Sequence, residues 1–298
     1  MDVVVTGSSG LIGSALVPAL AAAGHRVRRL VRRPAAGDDE IRWDPEAGTI
    51  DVAALSGVDA AVHLAGEGIG ERRWTEEQKR RVHDSRTQGT SLLAATLASL
   101  EPRPSVLLSG SAVGIYGDGG ESELTESSPR GSGFLADVVA DWEASARPAA
   151  DAGIRTVLLR SGVVLSPRGG AMKKVLPLFK LGLGGPIGRG DQWLPWISIE
   201  DEVAAIVHLL TADVDGPVNL ASPKSVRYRE YARALGRALH RPAFFPTPML
   251  GPRLLLGREL ADALLGDSQR VVPARLLESG YEFRHRDIDD ALQSMLGP

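Results

Sequence analysis

The sequence predicts an α/β fold built on a doubly wound parallel sheet, and three observations predict it. Val3-Val4-Val5 is a short, wholly apolar, β-branched run of the kind found in strands buried on both faces. It breaks into Thr6-Gly7-Ser8-Ser9-Gly10-Leu11-Ile12-Gly13 and then into a small-residue helix that stops at Gly24. Strand-like and helix-like segments alternate through the first two thirds of the chain, as parallel strands joined by crossover helices require.

Each glycine of the turn has a physical task. Gly7 permits the tight turn off the strand, Gly10 lets a diphosphate approach the backbone, and Gly13 lets the helix pack closely on the strand. Free N–H groups and the positive end of the helix dipole complete a phosphate cradle. Gly7, Ser9, Gly10, Leu11, Ile12 and Gly13 are therefore the first candidate cofactor-binding residues. The spacing G-x-x-G-x-x-G is looser than G-x-G-x-x-G, and a glycine-rich turn that binds nothing is the alternative. The setting favours the cradle: a strand before, a helix after, and another strand at Arg26 to Val31. Pro18 falls inside the helix, where it forfeits a bond to Ser14 and predicts a kink.

Further along, Asp59 to Leu64 reads as a buried strand followed by Ala65-Gly66. Thr75-Glu76-Glu77-Gln78 has the form of a capping box and opens a helix. The apolar positions of that helix (Leu92, Leu93, Thr96, Leu97, Leu100) recur at helical spacing until Pro102 and Pro104 end it. Val106 to Ser109 is the next strand, a loop covers 118–133, a helix is expected from Leu135 to Ala150, and a strand from Arg155 to Arg160. Beyond 165 the pattern changes. The Gly/Pro/Trp-rich stretch 181–201 has loop character, and long ordered loops are usually functional. A helix (Asp201 to Leu210), a strand (Val218 to Leu220) and a helix (Arg227 to Leu239) follow. From Pro246 the chain reads as a small helical appendage ending in a helix from Asp287 to Met295. The expected organisation is a dinucleotide-binding domain over 1–245, with substrate-lobe segments from about 166 onward, and a small C-terminal domain over 246–298.

A chain of 298 residues can bury a large core, and its apolar (43%) and charged (24%) fractions are those of an ordinary soluble protein. A net charge of −3 gives no global electrostatic case for nucleic acid or an anionic membrane as partner. The absence of cysteine excludes disulfides and thiolate chemistry and argues against zinc; no metal site is expected. Met1 is followed at once by Asp2 and a core strand, without a basic leader, and no apolar run reaches the ~18 residues of a membrane span. These features predict a soluble, cytoplasmic protein.

Taken in order, strand, T-G-x-x-G-x-x-G, strand, L-A-G, the S-x-S-x-x-x-x-Y-G stretch from Ser109, and Arg160-Ser-Gly-Val-Val-Leu165 resemble the extended short-chain dehydrogenase/reductase family, the NAD-dependent epimerases and dehydratases of nucleotide sugars. Arg73-Trp74, Ser85-Arg86, Trp142-Glu143, Leu181 to Pro186, Pro195-Trp196 and Leu277-x-x-Gly280-Tyr281 are similar to an atypical branch of epimerase-family proteins with an added C-terminal domain. The resemblance covers essentially the whole chain. It implies a Rossmann-type sheet with a smaller, mostly helical C-terminal substrate lobe. It also implies that Leu64, Ala65 and Gly66 line the adenosine-side turn, that Arg86 lies near the cofactor, and that Gly162 and Val163 meet the nicotinamide carboxamide.

The cofactor follows from the residues themselves. NAD enzymes carry an acidic residue about twenty residues past the glycines, at the end of the second strand, to bind the ribose hydroxyls. Here that place reads Leu30-Val31-Arg32-Arg33, with no carboxylate before Asp38. A guanidinium pairs with a 2′-phosphate that a carboxylate repels. The expected cofactor is NADP(H), held by Arg32 first and Arg33 second; the alternative is that both arginines only decorate the surface.

Catalysis is where the chain departs from the family it resembles. Family members use Tyr-x-x-x-Lys with a Ser or Thr: the tyrosine moves the proton, the lysine lowers its pKa, and the hydroxyl polarises the substrate carbonyl. Ser111 matches the hydroxyl, with Ser109 as helper. The pair falls at Phe134 and Val138, and no lysine occurs between Lys79 and Lys173. Candidate substitutes are Tyr116 and the carboxylates Asp137, Asp141 and Glu143; a solvated acidic stripe and an active-site wall are the plainer readings. Glu67, Gln192, Trp193 and Trp196 are candidate substrate contacts, the tryptophans either stacking on a ring or capping the core. His63, on an apolar strand, reads as a satisfied core histidine. Two functions remain open. One is an NADP(H)-dependent oxidoreductase or epimerase-like enzyme acting on a small carbonyl or sugar-like compound. The other is a non-catalytic NADP(H)-binding protein that regulates or senses redox state through a partner. The expected assembly is a monomer or a homodimer.

Overall fold

The computed structural model describes residues 1–297. In chain order the first elements are β1 (Asp2–Thr6), α1 (Leu11–Ala22), β2 (Arg26–Val31), β3 (Glu40–Asp44), β4 (Thr49–Ile50), β5 (Ala60–His63), α2 (Glu76–Ser99), β6 (Val106–Ala112), β7 (Glu123–Leu124), α3 (Phe134–Ser145), α4 (Arg147–Asp151) and β8 (Arg155–Ser161). Then come β9 (Val163–Leu165), α5 (Gly170–Lys180), β10 (Trp193–Leu194), β11 (Trp196–Ser198), α6 (Ile199–Leu209), β12 (Gly216–Leu220), β13 (Val226–Arg227) and α7 (Tyr228–Ala238). The chain closes with α8 (Leu250–Leu256), α9 (Arg258–Leu265), β14 (Arg270–Val271), α10 (Ala274–Glu278) and α11 (Ile288–Leu296).

The main sheet has eight strands in the order β12-β8-β6-β5-β1-β2-β3-β4. All its neighbours pair in parallel except β3 and β4. The chain runs outward from β1 in one direction through β2 and β3 and in the other through β5, β6, β8 and β12. The C-terminal ends of β1 and β5 therefore border the crevice where such sheets hold ligands. One apolar cluster lies between the sheet and α1 and α6, with Val3, Val5, Leu16, Leu20, Leu108 and Ile206 buried. A second lies under α2 and α4 on the opposite face, with Val4, Leu30, Ala61, Leu93, Leu97 and Leu107. The alternation of Val3, Val4 and Val5 between the two clusters is why that run is uniformly apolar.

The central strands and the glycine turn fall where the sequence predicts them. Several expectations need correction. The helix expected over Leu135 to Ala150 is two helices, because Pro148 occupies the first turn of α4 and the chain restarts there. α5 occupies a stretch whose Gly169-Gly170 and Pro177 conceal its helical period, and the loop 181–201 contains two short strands. As the sequence predicts, α1 contains Pro18 and is closed by Gly24, at φ +81°. At the start of α2 only half of the capping box forms. Thr75 accepts from the Gln78 N–H at 3.1 Å, while the Gln78 side-chain amide nitrogen is buried without a partner.

The C-terminal segment shares cores with what precedes it. Ile288, Ala291 and Leu292 of α11 pack with Tyr231 and Leu235 of α7. Leu276, Tyr281 and Phe283 join the main-sheet cluster. Asp201, 1% exposed, is the polar counterpart: its carboxylate accepts from Tyr281 Oη (3.0 Å), Arg284 N (2.7 Å), His285 N (3.0 Å) and Ser198 Oγ (2.8 Å). Among the described residues no helix is long and apolar enough to cross a membrane.

Candidate functional site

The turn between β1 and α1 is sterically committed. Gly7 has φ +65°, and a Cβ there would stand 2.7 Å from the Leu64 carbonyl group. A Cβ on Gly13 would lie 2.2 Å from the Gly7 carbonyl oxygen. At Gly10 the space is open apart from that same oxygen at 3.3 Å, and α1 begins there with no side-chain cap. The first N–H groups of α1, from Leu11 and Ile12, thus face outward at the positive end of the helix dipole. Gly7, Ser8, Ser9 and Gly10 line a cleft of about 1100 Å³ that continues along Arg32, Leu64, Ala65, Gly66 and Glu67. Thr6 fixes its floor, because its hydroxyl oxygen accepts from both Leu64 N (3.0 Å) and Ala65 N (3.1 Å).

At the end of β2 the two arginines part. The two terminal guanidinium nitrogens of Arg33, Nη1 and Nη2, donate to Glu40 at 2.6 and 2.5 Å. Those hydrogen bonds, the Ala36 N–H and the positive field hold the Glu40 carboxyl down at about pKa 2. Arg32 is exposed, lines the cleft and has no side-chain partner among the described residues. Of these two arginines, Arg32 is the one left without a carboxylate among the described residues. Arg86 lies behind the cleft. It donates to the carbonyls of Glu67 and Val82 (both 3.0 Å), its guanidinium sits 5.0 Å from the Trp142 ring, and burial lowers its pKa to about 10. It supports the Gly66-Glu67 turn from beneath.

Ser111, Glu143, Arg160, Tyr116 and Asn219 form a buried hydrogen-bond network. Ser111, 5% exposed, donates to Glu143 at 2.6 Å. Arg160 grips the same carboxylate through Nε (2.8 Å) and Nη2 (2.9 Å) and reaches Tyr116 Oη at 3.0 Å. Tyr116 in turn donates to Asn219 Oδ1 at 2.7 Å. Burial pulls the Arg160 pKa down, but the Glu143 hydrogen bonds outweigh it and hold the guanidinium above its ordinary value. Burial raises the Tyr116 pKa. Ser109 is fully buried in β6. Asp137 is exposed and paired with Arg130, and Asp141 is paired with His83, so neither joins Ser111. Of the three helix carboxylates only Glu143 does.

Phe134 and Val138, where the resemblance leads one to expect the Tyr and Lys, are packing residues. Val138 is 2% exposed, and Phe134 meets the Trp74 ring edge-on at 4.8 Å. Lys79 of α2 lies over the same phenyl ring, its Nζ 5.4 Å from the centroid, and pairs with Glu259 of α9 at 2.7 Å. That pairing raises the Lys79 pKa. Sequence reading missed this lysine because nothing in the spacing joins α2 to α3.

The other candidates are mostly held by the protein itself. Trp196 is fully buried, with its indole N–H on Lys224 O at 3.0 Å. Two guanidinium groups lie over the Trp193 ring, Arg227 at 4.1 Å and Arg270 at 5.1 Å from its centroid, and Gln192 donates to Leu265 O at 2.8 Å. Gly162 is required because a Cβ would lie 2.3 Å from the Pro195 carbonyl oxygen, and Val163 donates to that same oxygen at 2.6 Å. Nearby, Glu202 is fully buried. Its Oε1 accepts from Ser161 (2.6 Å), its Oε2 has no partner, and burial pushes its pKa up to about 8. His63 is a core histidine as expected but only half satisfied: Nδ1 meets Thr6 Oγ1 at 2.8 Å, Nε2 is buried without a partner, and burial lowers the pKa to about 4.

The geometry agrees with comparisons to known proteins. Residues 3–221 match the model of the NAD dependent epimerase/dehydratase family, and residues 247–295 match a domain of unknown function, DUF1731. An epimerase family protein of Mycobacterium bovis is 44% identical over 97% of this chain and 96% of its own length. The human epimerase family protein SDR39U1 is 41% identical over 99% of this chain and 100% of its own length. A crystal structure of human SDR39U1 (isoform 2) with NADPH superposes with a TM-score of 0.92 at 40% identity, covering 99% of each chain. UDP-glucose 4-epimerase of Thermotoga maritima, at 15% identity and TM-score 0.77 over 99% of this chain and 97% of its own, shares the fold. The chain belongs to the NAD-dependent epimerase/dehydratase family.

Proposed function

We propose that this protein binds NADP(H) and uses it as an oxidoreductase or epimerase-like enzyme on a small carbonyl or sugar-like compound. The observation that carries the cofactor is Arg32, the arginine left unpaired at the end of β2 in a cleft with no acidic residue at the ribose position. The open N-terminus of α1 above Gly10 fits a diphosphate, and human SDR39U1 has been crystallised with NADPH. When bound, the cofactor supplies or accepts hydride at the nicotinamide ring. The chain's own contribution is to place it, with Leu64 to Gly66 along the adenosine half and Gly162 and Val163 toward the nicotinamide. Two groups compete for the proton role left by the missing tyrosine: Ser111, backed by Glu143, and the Lys79 ammonium over the Phe134 ring.

A second reading, a non-catalytic NADP(H)-binding protein acting through a partner, is favoured by one observation. The Ser111 hydroxyl is already donated to Glu143, whose carboxylate is gripped by Arg160, so both groups are engaged inside the protein. Fluorescence titration tests the cofactor. NADPH is expected to bind at least about tenfold more tightly than NADH, the scale of one charge-assisted contact, and Arg32→Ala to erase the difference. Equal affinities in the wild-type chain sink the assignment. For chemistry, a panel of carbonyl compounds with NADPH is expected to show turnover that collapses in Ser111→Ala or in Lys79→Ala. No turnover across the panel, with a stable partner recovered by the NADPH-loaded chain, selects the binding protein.

A further inference from the structure

Away from the cofactor cleft, and sharing no lining residue with it, the outer face of α7 forms a second concavity of about 920 Å³. Tyr228, Tyr231, Ala232 and Leu235 turn inward to the core, so the opposite face presents Arg229, Arg233 and Arg237 one above another. At four-residue spacing these guanidinium stems rise in steps of about 6 Å. Arg189, Arg241 and His240 complete the lining. Gly236 lets the following turn close over the helix, since a Cβ there would meet Ala243 at 2.6 Å.

The charges in this cleft are not balanced. Asp191 takes Arg189 and Arg229, and Asp289 takes Arg237. Among the described residues Arg233 and Arg241 have no carboxylate partner; Arg241 donates only to the backbone carbonyls of Lys180 and His240. Glu230, the acid on the same helix, is used instead to cap the Arg227 N–H at 2.7 Å. Five guanidinium groups against two carboxylates leave three positive charges in one concavity of a chain whose net charge is −3. Like charges four apart on a helix repel, so the arrangement is costly until an anion enters. His240 adds to that cost. It holds φ +53°, the one left-handed non-glycine residue among those described, at the position after a helix where glycine is favoured. Phe244, 69% exposed, sets an aromatic face at the rim.

We propose that this cleft binds a ligand carrying two or more neighbouring phosphates, gripped by the guanidinium forks of Arg233 and Arg241 and flanked by Phe244. Planar forks at short intervals match phosphate oxygens in bidentate fashion, and the volume suits a small organic phosphate. The same chemistry is offered by a soluble polyphosphate and by a phosphomonoester lipid headgroup, the latter drawing also on the exposed Leu181 and Phe245.

The test is calorimetric titration of the full chain with inorganic pyrophosphate, with NADPH added to one equivalent so that it fills the glycine-turn cleft and leaves none over for the arginine cleft. Saturable binding is expected. Arg233→Ala/Arg241→Ala, which orphans no carboxylate, is expected to weaken it about tenfold or more, whereas Arg32→Ala leaves it unchanged. His240→Gly separates ligand binding from a structural role: the melting midpoint is expected to rise while pyrophosphate affinity falls. Sedimentation with phosphatidylcholine vesicles, with and without phosphatidic acid, distinguishes the sources. Binding to the phosphatidic acid vesicles that is lost in Phe244→Ser identifies a lipid headgroup, and pyrophosphate binding without sedimentation identifies a soluble ligand. If neither probe binds, or the double variant binds both as tightly as the wild-type chain, the proposal is overturned. Equal weakening by Arg32→Ala overturns it too, by assigning the phosphate to the cofactor cleft.

Discussion

Arg32 and Arg33 are neighbours in sequence and carry the same charge, yet the fold gives them different partners. Arg33 is closed on Glu40, so Arg33→Ala is expected to loosen the 33–40 turn and leave the NADPH preference nearly intact, in contrast to Arg32→Ala. Titration of both variants with NADPH and NADH checks the contrast. Glu143 and Arg160 show the opposite condition, two charges that exist for each other. Both side chains are nearly buried, at 13% and 10% exposure, so removing one strands the other. Arg160→Ala is expected to cost about 3–5 kcal/mol in chemical denaturation, and Arg160→Met with Glu143→Leu together much less than the sum. Additive losses would show that the pair is not coupled.

At the scale of elements, the glycine turn separates folding from binding within a few residues. Gly13→Ala places a methyl 2.2 Å from a carbonyl oxygen and is expected to destabilise the chain by about 1–3 kcal/mol. Gly10→Ala meets only the Gly7 carbonyl oxygen, at 3.3 Å, and is expected to lose less stability than Gly13→Ala while binding NADPH at least about tenfold more weakly. Paired melts and titrations decide it. This turn was legible in the sequence because its constraint is local: three glycines, one strand and one helix. The central strands were legible for the same reason, being apolar on both faces. β3 and β4 were not, since at the sheet edge Glu40-Ile-Arg-Trp-Asp44 mixes charge with bulk. The restart at α4 left a signal in Pro148 that a single-helix reading overrode. The Glu143–Arg160–Ser111 network and Lys79 over Phe134 left none, because each joins separate elements through tertiary packing.

Across the whole molecule, two buried titratable groups bound the pH range of stability from opposite sides. His63 has its pKa lowered from 6.5 to about 4 in the folded chain, so the unfolded chain takes up the proton first. Stability is therefore lost as pH falls from 6.5 to 4, by roughly 3 kcal/mol at the limit. Glu202 has its pKa raised from 4.5 to about 8, so the folded chain holds a proton that the unfolded chain has released. Its contribution is lost as pH rises from 4.5 through 8. Glu202→Gln is expected to gain stability relative to the wild-type chain between pH 5 and pH 8, by a few kcal/mol, in denaturant melts at the two values. A pH-independent difference would place the proton elsewhere. The widest consequence comes from Asp201 and the side chains gathered round it. The two regions that match separate family models, 3–221 and 247–295, are stitched together by Tyr281, Arg284 and His285 on that one carboxylate and by Leu276 and Phe283 in the main core. They are therefore expected to behave as a single inheritance. A chimera taking its tail from another lineage must also carry the matching residues around Asp201, and a chain cut at residue 245 is expected to aggregate rather than survive as a smaller dinucleotide-binding protein.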